Sequence, residues 1–407
     1  MKMIALNLKR TACCVLWALM GTMALAQPAA PSVQPEVYKP LMAAQEALKN
    51  NQAQQAMSLA KEALAVSKIT PAEQVLAQRT LAVAALAAKD FDQAITSLEM
   101  LVTQPGLTAE QQRPFLESLM NACQQKKDHA GVAKWARQYL AGGGSNPSVR
   151  PVLIQTLSVM NAHADVITEM LNKIQLDEKA GQKTPENELR ILAVSYRQQK
   201  DMVGYEATLL RLLETYPSKA YWAEAISRQV SRPEANPRFE LDLFRLLEDT
   251  DNLEDANEYI GMAELALKAG LPADAYRVLD KGFKNGVLGQ GREAAAHQKL
   301  RQQAEAKMAE DEKLLGAMEK SAKDSNAWVG LGDVWLSKQQ WNQAAARYTQ
   351  AWSAGAVRRE AELALHHAMA LIKSGQAAQG RQMLEKIKSD KTAMEVANLM
   401  RIYSVVP

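Results

Sequence analysis

Strand signals are almost absent from this chain of 407 residues. No alternating run of Val, Ile or Thr has turn residues at both ends, which argues against a β-sandwich, a barrel or a doubly wound sheet. Aromatic residues make up only 5% of the sequence, so aliphatic and small side chains must fill the interior. Glycine and proline are missing from long stretches while alanine is abundant, and helix is therefore the expected state. Cysteine is nearly missing too. Cys13 and Cys14 sit close to the amino terminus, and Cys123 is alone in the rest of the chain. That excludes a disulfide framework and leaves core packing to hold the fold. No apolar run after Leu25 is long enough to span a bilayer, which takes about 20 residues.

What is present at the amino terminus is a targeting pattern. Lys2, Lys9 and Arg10 precede an uncharged apolar run from Ala12 to Leu25, which ends in Ala24-Leu25-Ala26. A positive region, a short apolar core and small residues at the cleavage position make residues 1–26 a cleavable secretory signal peptide. An uncleaved anchor would need a longer apolar run. Cys13 and Cys14 lie before most of the apolar core rather than after it, where a lipidated cysteine would stand. Loss of the segment takes the basic residues from 48 to 45, against 45 acidic residues. A neutral mature chain lacks the concentrated basic face that nucleic acid or an anionic membrane requires. The expected location is the periplasm of a bacterial envelope, with no membrane span after cleavage.

Residues 326–352 carry the clearest structural signal. Trp328, Leu331, Gly332 and Trp335 stand at i, i+3, i+4 and i+7, one face of a helix. A polar break follows, and then Ala344, Tyr348 and Ala351 share a second face. Small residues let two antiparallel helices approach, and the bulky ones fill the space beside them. The pattern resembles the tetratricopeptide repeat (TPR) signature, W-x2-L-G-x2-Y followed by Ala, an aromatic and Ala, in a unit of about 34 residues. Ala356 stands where the family usually has its closing proline.

A lone hairpin cannot bury both faces, so further units should stack beside it. The small or apolar residues opening each second helix fall at 56, 94, 132, 166, 205, 275, 344 and 380, with two more placed by spacing near 240 and 309. The expected fold is all-α: a TPR-like solenoid of about ten hairpins, which the resemblance makes a right-handed superhelix, in one or two segments. Residues 27–37 read as a Pro/Ala linker, 38–285 as an amino-terminal array and 286–291 as a Gly-rich joint. Residues 292–388 read as a second segment that opens with a charged helical hairpin, and 389–407 as a capping helix and tail.

Catalytic and metal-binding motifs are missing. None of the five histidines has H-E-x-x-H or another ligand spacing, and the rings of adjacent His366 and His367 diverge by about 100° on a helix. No nucleophile elbow or P-loop occurs. Cys123 fits an inward slot of its hairpin, as a small buried hydrophobe. No cofactor, metal or catalytic residue is expected. The TPR resemblance implies instead a groove lined by first helices, contacting a peptide or a partner's helix. Mapped onto this chain, its positions include Arg79, Asn121, Gln124, Gln155, Arg190, Arg197, Glu264, Lys268, Gln298 and Arg301. Arg190 and Arg197 lie seven apart on one face and could hold a carboxylate. The Lys/Asn clamp of chaperone-binding members is not reproduced, since Val194 stands in place of its asparagine.

The expected function is a non-catalytic scaffold for a protein or peptide of the cell envelope. Residues 216–289, with Y-P-S-K-A-Y-W and A-E-L-A-L-K-A-G-L-P-A-D-A, resemble periplasmic TPR proteins associated with TonB/ExbB/ExbD-type energy transduction. The alternatives are an assembly platform for polysaccharide or protein export across the outer membrane and, with no acid/base constellation to support it, a cell-wall enzyme.

Overall fold

A computed structural model describes residues 33–405, and residues 1–26, read above as a signal peptide, lie outside them. The described residues form 20 α-helices, one 3-10 turn and no strand. The chain divides into two compact units between Asp201 and Met202.

The first unit contains α1 (Pro35–Lys49), α2 (Ala53–Leu64), α3 (Pro71–Ala88), α4 (Phe91–Val102), α5 (Ala109–Lys126), α6 (His129–Ala141), α7 (Val149–Val159), α8 (His163–Lys179) and α9 (Glu186–Gln198). Within the unit each helix packs on its neighbours in the chain, and α1 also touches α3. Helix α1 opens at Pro35 and fully buries Val37, so the array starts inside the span read as linker. Cys123 is buried beside Gly131, at a distance that leaves no room for a Cβ there. Burial and the nearby Asp128 push its thiol up to about 11, which makes it a packing residue rather than a nucleophile.

The second unit contains α10 (Met202–Thr215), α11 (Lys219–Val230), a 3-10 turn (Pro237–Phe239), α12 (Glu240–Asp249), α13 (Ala256–Lys268), α14 (Pro272–Lys284) and α15 (Ala294–Ser321). It continues with α16 (Ser325–Ser337), α17 (Trp341–Ser353), α18 (Glu360–Lys373), α19 (Ala377–Leu384) and α20 (Lys391–Tyr403). Here the helices close on themselves. Helix α20 packs against α18 and α19 and also against α10, α11 and α12. Arg232 bridges Glu206 and Glu395, Arg401 pairs with Glu214 at 2.6 Å, and Trp222 meets Tyr403 edge to face.

The hairpin ladder has a common local cause. Residues 56, 94, 132, 166, 205, 275, 344 and 380 are each the fourth residue of a helix, and all are buried. Five positions before each stands a residue with left-handed backbone: Asn51, Lys89, Lys127, Asn161, Lys200, Gly270, Gln339 and Gly375. The amide after each one donates back to a carbonyl five residues earlier, as Asp90 does to Ala85 and Gln340 to Trp335. This is the Schellman closure, in which one residue at positive φ ends a helix and reverses the chain.

Three expected boundaries change. The position near 309 falls inside α15, a single helix of 28 residues rather than a hairpin. That near 240 falls at the start of α12 rather than four residues in. The division into two bodies lies at 201/202, between the two helices read as one hairpin, and not at 286–291. The Gly-rich stretch is packed instead: Leu288 is buried, and a Cβ on Gly282 would lie 2.8 Å from its Cδ1 and 2.9 Å from Tyr259.

Candidate functional site

Helix α12 was legible only as a degenerate repeat, yet it carries two of the second unit's buried charges. Its leucines at 241, 243, 246 and 247 are buried, and so are Asp242 and Arg245, three apart on one stripe. Arg245 donates to Asp242 Oδ1 at 3.0 Å and, from Nε and a terminal nitrogen, to Asp274 Oδ2 of α14 at 3.1 and 2.6 Å. Arg277 donates to the other oxygen of Asp274 at 2.6 Å and to Glu248. Two buried carboxylates thus share a buried guanidinium, the forked geometry for which arginine is suited.

On the other side of Asp242 stands His366 of α18. It donates from Nε2 to Asp242 Oδ1 at 3.2 Å and from Nδ1 to Asp333 Oδ1 of α16 at 2.7 Å. Tyr348 of α17 donates to the same Asp333 oxygen at 2.7 Å. Burial works against charge on His366, but the flanking carboxylates outweigh it and raise the imidazole to about 10. Burial likewise pushes the Asp242 carboxyl up, and His366 with Arg245 more than reverses this, holding it below its ordinary value. His367 behaves in the opposite way. Buried on the other side of α18, it accepts from Trp352 Nε1 at 3.1 Å, and burial with nearby Lys386 lowers it to about 4. Adjacent histidines therefore hold different protonation states because their rings enter different surroundings. No group of three or more His, Cys, Asp or Glu among the described residues could hold a metal ion.

The charged cluster forms the floor of a cleft of about 350 Å³. Asp242, Arg245, Asp333 and His366 line it, and so do apolar residues such as Leu241, Leu265 and Leu271. Arg238 of the 3-10 turn, Lys268 at the end of α13 and Arg359 just before α18 are exposed at its edge. Glu362 is the one carboxylate among them, 3.3 Å from Arg359 and 3.9 Å from Arg238. Lys268 makes no ion pair with the described residues.

The expected groove residues distribute as follows. Arg79, Asn121, Gln124, Gln155, Arg190 and Arg197 lie on α3, α5, α7 and α9 of the first unit, the first helices of their pairs in the ladder. All are exposed except Arg79, which is half-buried with its guanidinium 5.9 Å from the centre of the Phe115 ring. In the second unit Glu264, Lys268 and Gln298 are exposed, and Lys268 lines the cleft. Arg301 is placed differently. It pairs with Asp280 and covers the rings of Tyr276 and Phe283, so it fastens α15 to α14. Sequence reading missed Asp242, Arg245, Asp333 and His366 as a group. The available signal was Asp242 and Arg245 three apart, interrupting a leucine-rich helix.

The residues of the 326–352 signature differ in exposure. Leu331, Gly332, Ala344, Tyr348 and Ala351 are buried. Gly332 seats the Tyr348 ring: a Cβ there would lie 2.8 Å from Cζ and closer still to the near ring edge. Trp328 and Trp335 are only half-buried. Trp335 donates to Glu319 of α15 at 3.3 Å, and Arg347 lies 5.8 Å from the centre of the Trp328 ring.

No protein-family model matches the chain, and the search of curated proteins returns no match. Among solved structures, the TPR2AB domain of yeast Sti1 in its pHSP90 complex is similar at 16% identity and a TM-score of 0.32, covering 66% of this chain and 98% of that one. A tetratricopeptide repeat protein from Parabacteroides merdae is similar at 12% identity and a TM-score of 0.23, covering 83% and 100%. Yeast Tom70 is similar at 9% identity and a TM-score of 0.26, covering 90% and 96%.

Proposed function

We propose that this chain is a non-catalytic, protein-binding scaffold of the bacterial periplasm, serving a TonB/ExbB/ExbD-type energy-transduction system. The observation that carries the scaffold reading is the division of labour along each helical pair. Small and apolar residues are consumed by packing between neighbours, while first helices of the first unit keep polar side chains of both signs in solvent. Such surfaces recognise a partner through many modest contacts rather than through one reactive group. The charged cluster of the second unit supports the same reading. His366 is held protonated between two carboxylates at neutral pH, so it offers no lone pair to a general-base reaction. The periplasmic location rests on the amino-terminal signal pattern, and the energy-transduction link on residues 216–289.

Crosslinking in intact cells, followed by purification of the tagged full chain from membranes, tests this. Subunits of an ExbB/ExbD-type complex are the expected product. Recovery of a secretin or a glycan-export barrel would replace that partner with the export alternative. Hydrolysis of purified peptidoglycan by the pure protein would overturn the non-catalytic reading altogether.

A further inference from the structure

We infer that the cleft floored by Asp242 and Asp333 in the second unit binds an acidic peptide segment, through its cationic edge and through a buried oxygen that accepts a backbone N–H. This rests on the scaffold reading and specifies one docking site within it. Two independent observations point the same way. The first is charge. Arg238, Lys268 and Arg359 are exposed at the edge, and Glu362 is the sole carboxylate among them. Glu362 lies near both arginines, and Lys268 is left without an ion-pair partner among the described residues. The edge therefore holds positive charge that its own acidic residue does not neutralise, although the mature chain as a whole is neutral.

The second observation is an orphaned acceptor. Asp242 is 1% exposed and lines the cleft. Its Oδ1 takes His366 and Arg245, while its Oδ2 is buried with no hydrogen-bond partner. A buried carboxylate oxygen without a donor is uncommon, and it favours a ligand that brings one. An acidic peptide meets both demands, with side-chain carboxylates for the edge and an amide N–H for Oδ2. A nucleic acid or an anionic lipid surface would satisfy the edge, but a phosphodiester backbone carries no N–H for Oδ2, and a lipid surface is too broad for a cleft of about 350 Å³.

The test is fluorescence anisotropy of the full chain with a labelled peptide of four consecutive glutamates, against a sequence of the same length with glutamines. The glutamate peptide should bind at least tenfold more tightly, and its affinity should fall as salt rises. Lys268→Glu should reduce that affinity about tenfold or more with an unchanged melting profile, because Lys268 is exposed and has no ion-pair partner among the described residues. Equal binding of the two peptides, or full affinity in Lys268→Glu, overturns the inference. So does tighter binding of single-stranded DNA or phosphatidylglycerol vesicles than of the glutamate peptide. The crosslinking experiment separates this from the wider reading. If wild type and Lys268→Glu capture the same envelope partner equally, the cleft is not the docking site and the scaffold reading stands. If wild type captures no envelope protein while the glutamate peptide still binds, the scaffold reading falls and the cleft remains a peptide site.

Discussion

Two glycines in α16 should respond to the same substitution with opposite signs. Gly330 has open space where a Cβ would stand, whereas at Gly332 that position is taken by the Tyr348 ring. Alanine is better than glycine inside a helix by about 0.8–1 kcal/mol. Gly330→Ala should therefore gain up to about 1 kcal/mol. Gly332→Ala earns the same helical gain but forces a methyl into a fully buried ring. That ring has little room to retreat. Its hydroxyl is fixed to Asp333 at 2.7 Å, and His367 packs with its ring centre 5.8 Å away. Overpacking of a rigid site costs about 1–3 kcal/mol, and a held ring belongs in the upper part of that range. The net effect of Gly332→Ala is then a loss of about 1–2 kcal/mol. The two variants should differ by about 2–3 kcal/mol, which is about 5–10 °C in the melting temperature of a unit this size. Scanning calorimetry of the full chain reads this in the second unit's transition. If Gly332→Ala melts as high as Gly330→Ala, the ring does not depend on the missing Cβ, and the hairpin geometry assigned here is wrong.

The remaining predictions concern the charged floor and the first unit. Arg245→Met leaves Asp242 and Asp274 buried without their shared guanidinium, and should cost about 3–5 kcal/mol by urea denaturation; a loss under 1 kcal/mol would mean the carboxylates are solvated. His366 is raised in the folded state to about 10 from an ordinary value near 6.5. Its stabilising contribution is therefore complete below about pH 6.5 and fades as the pH rises toward 10. Wild type should lose stability between pH 7 and 10 more steeply than His366→Gln, and parallel curves would remove His366 from that role. Ala344→Trp should overpack the α16–α17 crossing by about 1–3 kcal/mol or more, so an unchanged melt would contradict the register. Arg190→Glu combined with Arg197→Glu should weaken capture of the envelope partner while circular dichroism stays constant, and undiminished capture would clear α9 of contact.

The helical hairpins could be read from the chain because their causes are local. A buried small or apolar residue four into each second helix is a sequence-neighbour property, and the left-handed turn five positions earlier follows from the reversal it completes. Six of those eight turn positions are not glycine, which hid the turn from a search for glycine. Where spacing alone set the register, near 309, the chain instead runs through one long helix, because nothing in residues 294–321 forces a reversal.

What only the tertiary structure decided is the second unit's interior. Asp242, Asp333 and His366 are far apart in sequence, on three helices, and each alone reads as an ordinary polar surface residue. They become one hydrogen-bonded cluster where His366 of α18 reaches Asp242 of α12 and Asp333 of α16, and α20 comes onto α10, α11 and α12 in the same unit. The linear code of apolar spacing sets which face of a helix is buried against its neighbour. It does not set which distant helix returns to cover the remaining faces, because that depends on the accumulated angle of many small crossings, and the burial, the shifted protonation and the cationic cleft all follow from that return.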